Sequence, residues 1–203
     1  MLRHIKENVR KAQNNNREQH IYGNKLDQLP YGFDLNYVLR TVEDLVPSHM
    51  VHNIDSIYVG NFDNFNYNGR NYNAAYENGA LYISNDQDDE NDMVDDIIHE
   101  IAHAVEEQHG KRIYGDSSIQ NEFLGKRERL YHLLDQEGFN VSYNDTMDTE
   151  YNEKFDQFLY KTVGYPTLTS LTMGLFYSPY AATSTREYFA NGFENYFLRD
   201  RNY

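Results

Sequence analysis

The chain of 203 residues contains no cysteine, no tryptophan and only four prolines. Without cysteine, no disulfide can stabilise the fold and no thiolate can bind a metal, and the cellular compartment is left open. Basic residues are also scarce: 18 Lys and Arg stand against 32 Asp and Glu, for a net charge of −14. This balance repels a nucleic-acid backbone, so we expect no nucleic-acid partner.

Long apolar runs are absent as well. No run approaches the 20 residues of a membrane span, and no secretory apolar segment follows Met1. We therefore expect no membrane partner, and a cytoplasmic or virion-associated protein in preference to a classically secreted one. The chain is instead rich in aromatic residues, with 19 Tyr and 11 Phe. This content favours a folded core over disorder.

The order of predicted elements favours an α+β fold. We expect a small, mostly antiparallel sheet packed on a long helix, followed by a mainly helical C-terminal part. Residues 1–50 are predicted to form a helical N-terminal segment that can act as a docking arm, and residues 51–203 the main domain. Apolar spacing and turn signals predict these elements: a polar helix at 2–19, a helix at 35–46, a strand at 54–60, a hairpin at 71–84 around Asn78-Gly79, a helix ending at Gly110, and helices at 118–137, 150–163 and 185–198.

The segment IIHEIAHAVEE, residues 97–107, carries two histidines four positions apart. In a helix, His99 and His103 lie on one face and can direct both imidazoles at one ion, with Glu100 one step around. Neutral imidazole binds Zn²⁺, and an adjacent carboxylate can take a proton from a zinc-bound water. A solvated helix with two hydrogen-bonded histidines has the same pattern, so the motif permits a zinc site without proving it.

A third ligand is required, because catalytic zinc has three protein ligands and one open position. In STREYFANGFENYFL, residues 184–198, helical spacing places Glu187, Asn191 and Glu194 opposite an aromatic face. Glu187 is the candidate ligand. The alternative is a capping box, since Ser184 and Glu187 have the spacing in which the glutamate bonds the N–H of the cap residue.

The acidic run at 85–96 has a simpler interpretation than calcium binding. Counted from Asp86, the sixth position is Asn91 where a calcium loop needs glycine, and the twelfth is Ile97 where it needs glutamate. Acidic residues are favoured at a helix N-terminus by the helix dipole. We therefore expect the run to begin the helix that carries His99.

Together, HEIAH and the later segment EYFANGF resemble the zinc peptidases of the anthrax lethal factor type, which include the clostridial Pro-Pro endopeptidases. The resemblance covers roughly residues 75–200. It implies a zincin-like fold, one Zn²⁺ bound by His99, His103 and Glu187, Glu100 as the general base, and Tyr180 as the oxyanion donor. Tyr180 lies seven positions before Glu187, as the corresponding tyrosine does in that family.

Two features depart from the family pattern. The 84 positions between His103 and Glu187 are roughly twice the usual separation, so an insert is present. The position four after the ligand glutamate, usually acidic and bonded to a ligand histidine, is Asn191. An amide supports an imidazole less strongly than a carboxylate, so either the site is weaker or Glu194 or Asp96 takes over this role.

We expect a zinc-dependent endopeptidase acting on a protein or peptide substrate. Strand Ala80–Ser84, directly before the motif helix, is expected to be the edge strand that pairs with an extended substrate. A second hypothesis is a component of a larger assembly, such as a virus particle, with a vestigial or single-use site and contacts to other chains through the N-terminal segment. A third is a zinc hydrolase of non-peptide amides.

Overall fold

A computed structural model describes residues 2–6, 19–23, 29–62, 65–67 and 70–198. It confirms the α+β class, because a mixed sheet is combined with a largely helical remainder. The chain divides into two compact units. One contains the described residues of 1–108 with 196–198, and the other contains 109–195. No described helix is long and apolar enough to cross a membrane.

The described strands are β1 Leu2–Lys6, β2 Gln19–Gly23, β3 Ser56–Gly60, β4 Asn66–Tyr67, β5 Arg70–Asn71, β6 Ala74–Glu77 and β7 Ala80–Ser84. Five of them form one sheet with the order β1-β2-β3-β7-β6. In this sheet the pairs β1–β2, β2–β3 and β3–β7 are parallel, and the pair β7–β6 is antiparallel. Strands β4 and β5 form a separate two-stranded ribbon.

The predicted hairpin is confirmed. Strands β6 and β7 pair with Glu77 opposite Ala80, so Asn78 and Gly79 form a two-residue loop. Both loop residues have positive φ, 50° and 82°. Asparagine tolerates this conformation and glycine adopts it freely, which explains why this dipeptide predicts a tight turn.

Three sequence predictions need correction. Leu2–Lys6 is a strand and not part of a helix over 2–19, because parallel pairing with β2 replaces a weak helical pattern; residues 7–18 lie outside the described residues. The sheet is not mostly antiparallel as predicted. Its antiparallel pair is the β6–β7 hairpin, whereas β3 pairs in parallel with β7, the second hairpin arm. Strand β7 is not the edge either. It is paired on both sides, and β6 is the edge strand.

Two helices follow strands β2 and β7 in the chain. Helix α1, Leu35–Leu45, begins at Asp34, whose side chain accepts hydrogen bonds from two backbone N–H groups of the first turn, and it ends before Pro47. Helix α2 runs from Glu90 to Ile113, so the predicted stop at Gly110 is wrong. An isolated glycine within a helix costs only about 1 kcal/mol, which the rest of this long helix offsets. The buried side chains of these elements include Val38, Leu39, Val42, Ile57, Val59, Leu81, Ile83, Met93, Ile97, Ile98 and Ile101.

The second unit is helical and contains most of the residues between His103 and Glu187. The predicted helices at 118–137, 150–163 and 185–198 are confirmed, the second as a short α-helix that continues into a π-helix at Phe158–Val163. Its core combines Phe123, Leu130, Phe155, Leu168 and Phe176 with two alanines, Ala181 and Ala182. The α-helices after α2 are α3 Ser118–Gln136, α4 Tyr143–Thr146, α5 Glu153–Gln157, α6 Tyr165–Thr172 and α7 Thr185–Leu198.

Arg127 of α3 is a fully buried cation in this core, with 0% of its surface exposed. Its guanidinium donates hydrogen bonds to the backbone carbonyls of Thr146 at 2.6 Å and Asp145 at 3.0 Å, and also to that of Ala182. Burial lowers the pKa of Arg127 to about 9, so the group is charged at neutral pH. The Phe155 ring lies 4.1 Å from the guanidinium carbon and adds a cation–π contact. The buried charge is therefore satisfied by carbonyl dipoles and an aromatic face.

We expect Arg127→Met to lower the free energy of unfolding by about 3–5 kcal/mol, because it leaves buried carbonyls without donors. Urea unfolding followed by far-ultraviolet circular dichroism measures this. Arg129→Met is the matched control, since Arg129 lies on the same helix but is exposed; its effect should stay within about 0.5 kcal/mol. Equal effects of the two variants would contradict a structural role for the Arg127 hydrogen bonds.

Candidate metal centre

Helix α2 is started by the acidic run, as its sequence predicts. The Asp89 carboxylate accepts hydrogen bonds from the backbone N–H groups of Asn91 at 2.7 Å and Asp92 at 3.1 Å. These are N–H groups that a helix N-terminus otherwise leaves without partners. Glu90 adds a second contact by accepting the backbone N–H of Asp34 at 3.0 Å. The acidic residues thus fix where the helix begins, and with it the direction in which its histidines point.

The structure brings together the three predicted metal ligands. Each of His99, His103 and Glu187 offers one ligand atom, and these atoms lie within 4.8 Å of one another. The two imidazole rings are 5.1 Å apart between centroids and inclined at 75°. Within the described part of the chain, no other group of three or more histidine and acidic residues has this geometry. The sequence distance of 84 positions from His103 to Glu187 is therefore closed in space.

Glu187 is held on the first turn of α7. The Ser184 hydroxyl oxygen accepts the Glu187 backbone N–H at 3.1 Å, and the Ser184 carbonyl accepts the N–H of Tyr188 at 3.0 Å. Ser184 is buried, with 1% exposed. This is one half of the capping box that the sequence permits. The cap fixes the backbone at residue 187, while a carboxylate oxygen of the same residue lies near both imidazoles.

The ligand set suits zinc. Two imidazole nitrogens and one carboxylate oxygen form the donor set of a catalytic zinc site, in which bonds of about 2.0–2.2 Å place the ligand atoms about 3.4 Å apart. All three residues are partly buried, so the donors are shielded from bulk water without being sealed from it.

Glu100, the predicted general base, is buried beside the first histidine of α2, with 6% exposed. A second acid that the sequence analysis did not single out lies next to the other histidine. The Glu106 carboxylate is 3.4 Å from His103 Nδ1, and Glu106 is 7% exposed. Its position three residues after His103 on one helix was the available signal, because such residues are neighbours on a helix surface. Glu106 can orient the His103 ring.

Asp96, one of the two acids proposed to support a ligand histidine, has a strongly perturbed pKa of about 7. Burial is the main cause, and the charge of Glu100 raises the value further. A hydrogen bond from the Gln87 amide at 3.0 Å and the nearby His99 act in the opposite direction. Asp96 is thus electrostatically coupled to both the first histidine and the candidate base.

In metal-free protein, Asp96 should make stability depend on pH. Its pKa is raised on folding, so its stabilising contribution is complete below the unfolded value of 3.8 and is lost as the pH rises to about 7. The free energy of unfolding then falls by at most about 4 kcal/mol across that window. Asp96→Asn should raise the Tm at pH 8 and flatten its pH dependence. Thermal unfolding in EDTA at pH 5 and pH 8 measures both effects. Asp86→Asn, at an exposed position of the same acidic run, controls for the loss of one negative charge; equal profiles for the two variants would contradict the assignment.

Asn191 makes two described hydrogen bonds, and neither goes to a histidine. Its side-chain oxygen accepts from the Ser178 hydroxyl at 2.5 Å, and its side-chain nitrogen donates to the Glu187 carbonyl at 3.1 Å. Tyr180, the predicted oxyanion donor, lies on a 3₁₀ turn, Tyr180–Ala182, and is partly buried. Its rival Tyr177 is 62% exposed.

Comparison of the chain with protein families, characterised proteins and solved structures finds no match. The assignment of this centre consequently depends on its own residues and on the motif resemblance given above.

Proposed function

We propose that the chain is a zinc-dependent endopeptidase. The observation that carries the proposal is the convergence of His99, His103 and Glu187, whose ligand atoms lie within 4.8 Å of one another. Glu100, directly after the first histidine and buried, adds the proton acceptor that hydrolysis requires. These four residues supply a metal-binding set and a base from only two helices, α2 and α7.

The division of roles follows from the chemistry of each group. Zinc, when bound, supplies a Lewis acid that lowers the pKa of a water molecule toward about 7 and polarises the scissile carbonyl. The Glu100 carboxylate accepts the proton from the attacking water and then donates it to the leaving nitrogen. The Tyr180 hydroxyl donates a hydrogen bond to the oxygen that gains negative charge in the transition state.

The edge strand β6 offers a place for an extended peptide. In its antiparallel ladder, Glu77 and Ala75 direct their backbone groups toward β7, and so does Asn73, whose carbonyl accepts the Ser84 N–H at 2.6 Å. The backbone groups of Ala74 and Tyr76 therefore point to the open side, where a substrate strand can pair with them. Tyr76 also donates its hydroxyl to Glu107, four residues after His103, which links the edge strand to the histidine face of α2.

The proposal is tested by metal content and by cleavage. Protein stripped with EDTA and reconstituted with ZnCl₂ should carry one zinc per chain in native mass spectrometry and cleave an unfolded casein substrate. Glu187→Gln should lose the zinc, whereas Glu128→Gln, the same change at an exposed position of α3, should keep it. Absence of stoichiometric zinc in the unaltered protein overturns the proposal. Zinc-dependent hydrolysis of N-acyl amides without casein cleavage would assign the site to non-peptide substrates.

A further inference from the structure

We infer that Ser178 and Asn191 form a positioning pair that fixes the turn carrying Tyr180 relative to the helix carrying Glu187. This inference rests on the proposed function, because it assigns the pair a purpose only if Tyr180 donates to the reacting oxygen. The pair itself is defined by hydrogen bonds within the second unit. Ser178 and Asn191 are neither zinc ligands nor proton carriers, and the role inferred for them is to position Tyr180.

The first link is between Ser178 and the turn. The Ser178 hydroxyl oxygen accepts the backbone N–H of Ala181 at 3.2 Å, which closes the 3₁₀ turn around Tyr180. The same hydroxyl donates its hydrogen to Asn191 Oδ1 at 2.5 Å. One hydroxyl thus acts as acceptor and donor at once, and its orientation is set by both partners.

The second link is between Asn191 and the ligand turn of α7. Asn191 Nδ2 donates to the backbone carbonyl of Glu187 at 3.1 Å. Asn191 is buried, with 6% exposed, so these hydrogen bonds form out of competition with bulk water. A chain of three bonds therefore runs from the residue after Tyr180 to the backbone of Glu187.

The chemistry of the side chain explains why an amide suits this position. The amide accepts through oxygen and donates through nitrogen, and both functions are used. A carboxylate at residue 191 would still accept from Ser178 but would present a negative oxygen to the Glu187 carbonyl, which also only accepts. Asparagine at this position is thus matched to its two partners, the Ser178 hydroxyl and the Glu187 carbonyl.

The far side of the turn is fixed independently. The Ala182 carbonyl accepts from the buried Arg127, and the Thr183 hydroxyl donates to the Tyr180 carbonyl at 2.8 Å. With the C-terminal end held by Arg127, the Ser178 hydroxyl is the fixed point at the N-terminal end. Removing it should free the Tyr180 backbone without unfolding the unit. Loss of orientation of a single oxyanion donor lowers kcat more than it raises KM.

The test combines kinetics with a probe that does not depend on activity. In the zinc-loaded enzyme, Ser178→Ala and Asn191→Leu should each lower kcat about 10-fold, with KM and zinc content unchanged. In a Tyr180→Phe background, neither should lower kcat further, since the group they position is gone. Ser142→Ala is the matched control: its hydroxyl accepts a backbone N–H three residues on, at 3.3 Å, but begins α4. It should leave kcat unchanged.

In the second measurement, 3-fluorotyrosine is incorporated at position 180 and its ¹⁹F NMR spectrum is recorded in metal-free protein. Ser178→Ala and Asn191→Leu should shift or broaden the resonance, and Ser142→Ala should leave it in place. An unchanged resonance in the first two variants overturns the inference, whatever the enzyme does. A further fall in kcat when Ser178→Ala or Asn191→Leu is combined with Tyr180→Phe overturns it as well. If the unaltered protein shows no zinc-dependent cleavage, the proposed function fails, and the ¹⁹F comparison alone decides whether the pair orients residue 180.

Discussion

Glu100→Gln should abolish peptide hydrolysis, with kcat reduced by about 10⁴-fold and one zinc per chain retained. The amide has nearly the same shape as the carboxylate but cannot accept the proton of the attacking water, and general acid–base groups contribute about 10²–10⁴-fold to rate. Because Glu100 is outside the ligand group formed by His99, His103 and Glu187, metal binding should persist. Steady-state hydrolysis of a fluorogenic peptide, with zinc measured on the same sample, separates the two effects.

The control for this variant is Glu128→Gln. Glu128 is exposed on α3, so the same chemical change there should alter neither kcat nor zinc content. Turnover by Glu100→Gln within a few-fold of that of the unaltered protein would remove Glu100 as the proposed base. Loss of zinc in this variant would instead indicate that Glu100 supports the metal site and that its effect on rate is indirect.

Tyr180→Phe should lower kcat by about 10²–10³-fold and leave KM little changed. In the proposed mechanism this hydroxyl donates to charge developing in the transition state, and loss of one such donor has this effect in characterised hydrolases. Tyr180 is partly buried on the turn before α7, and Ser178 links this turn to that helix by its hydrogen bonds with Ala181 and Asn191. Initial-rate kinetics over a range of peptide concentrations measures kcat and KM separately.

Tyr177→Phe is the matched control, three positions earlier on the same segment. Tyr177 is 62% exposed, so deletion of its hydroxyl should leave kcat unchanged. The opposite outcome, an inactive Tyr177→Phe and an active Tyr180→Phe, would show that the spacing carried over from the motif resemblance is in the wrong register. If both variants remain active, the oxyanion does not need a tyrosine.

Local signals in the sequence predicted much of the fold. Asn78-Gly79 predicted the hairpin because the turn depends on the backbone freedom of two adjacent residues. Helix α3 was predicted within about one residue at each end, since apolar periodicity and its ends are also local. Strand neighbours were harder. Nothing in residues 54–60 indicates that they pair with the second hairpin arm and leave the first arm at the edge.

The residues of the candidate site show the same difference between local signals, which the sequence reveals, and long-range contacts, which it does not. Helical spacing alone aligned His99 with His103, and it also made Glu187 a candidate third ligand, a role that the resemblance implies. In the structure a carboxylate oxygen of Glu187 lies within 4.8 Å of both imidazole ligand atoms. Glu106 could have been predicted from the sequence, because it lies about one helical turn after His103. The hydrogen-bond partners of Asn191 and Arg127 could not be predicted from the sequence. Apart from the Asn191 bond to Glu187, four positions away, these hydrogen bonds join residues 13 to 55 positions apart, through loops whose path no periodicity describes.

The buried guanidinium of Arg127 has a consequence for how this chain can be shortened. It donates to carbonyls in the Asp145–Thr146 segment and to Ala182, so it ties α3 and α4 to the turn of Tyr180. These two helices are accordingly not a removable lid. A truncated protein lacking α3 and α4 would leave the Ala182 carbonyl without its donor, two residues from the tyrosine. Any compact derivative has to provide a new donor there before the Tyr180 turn can hold its shape.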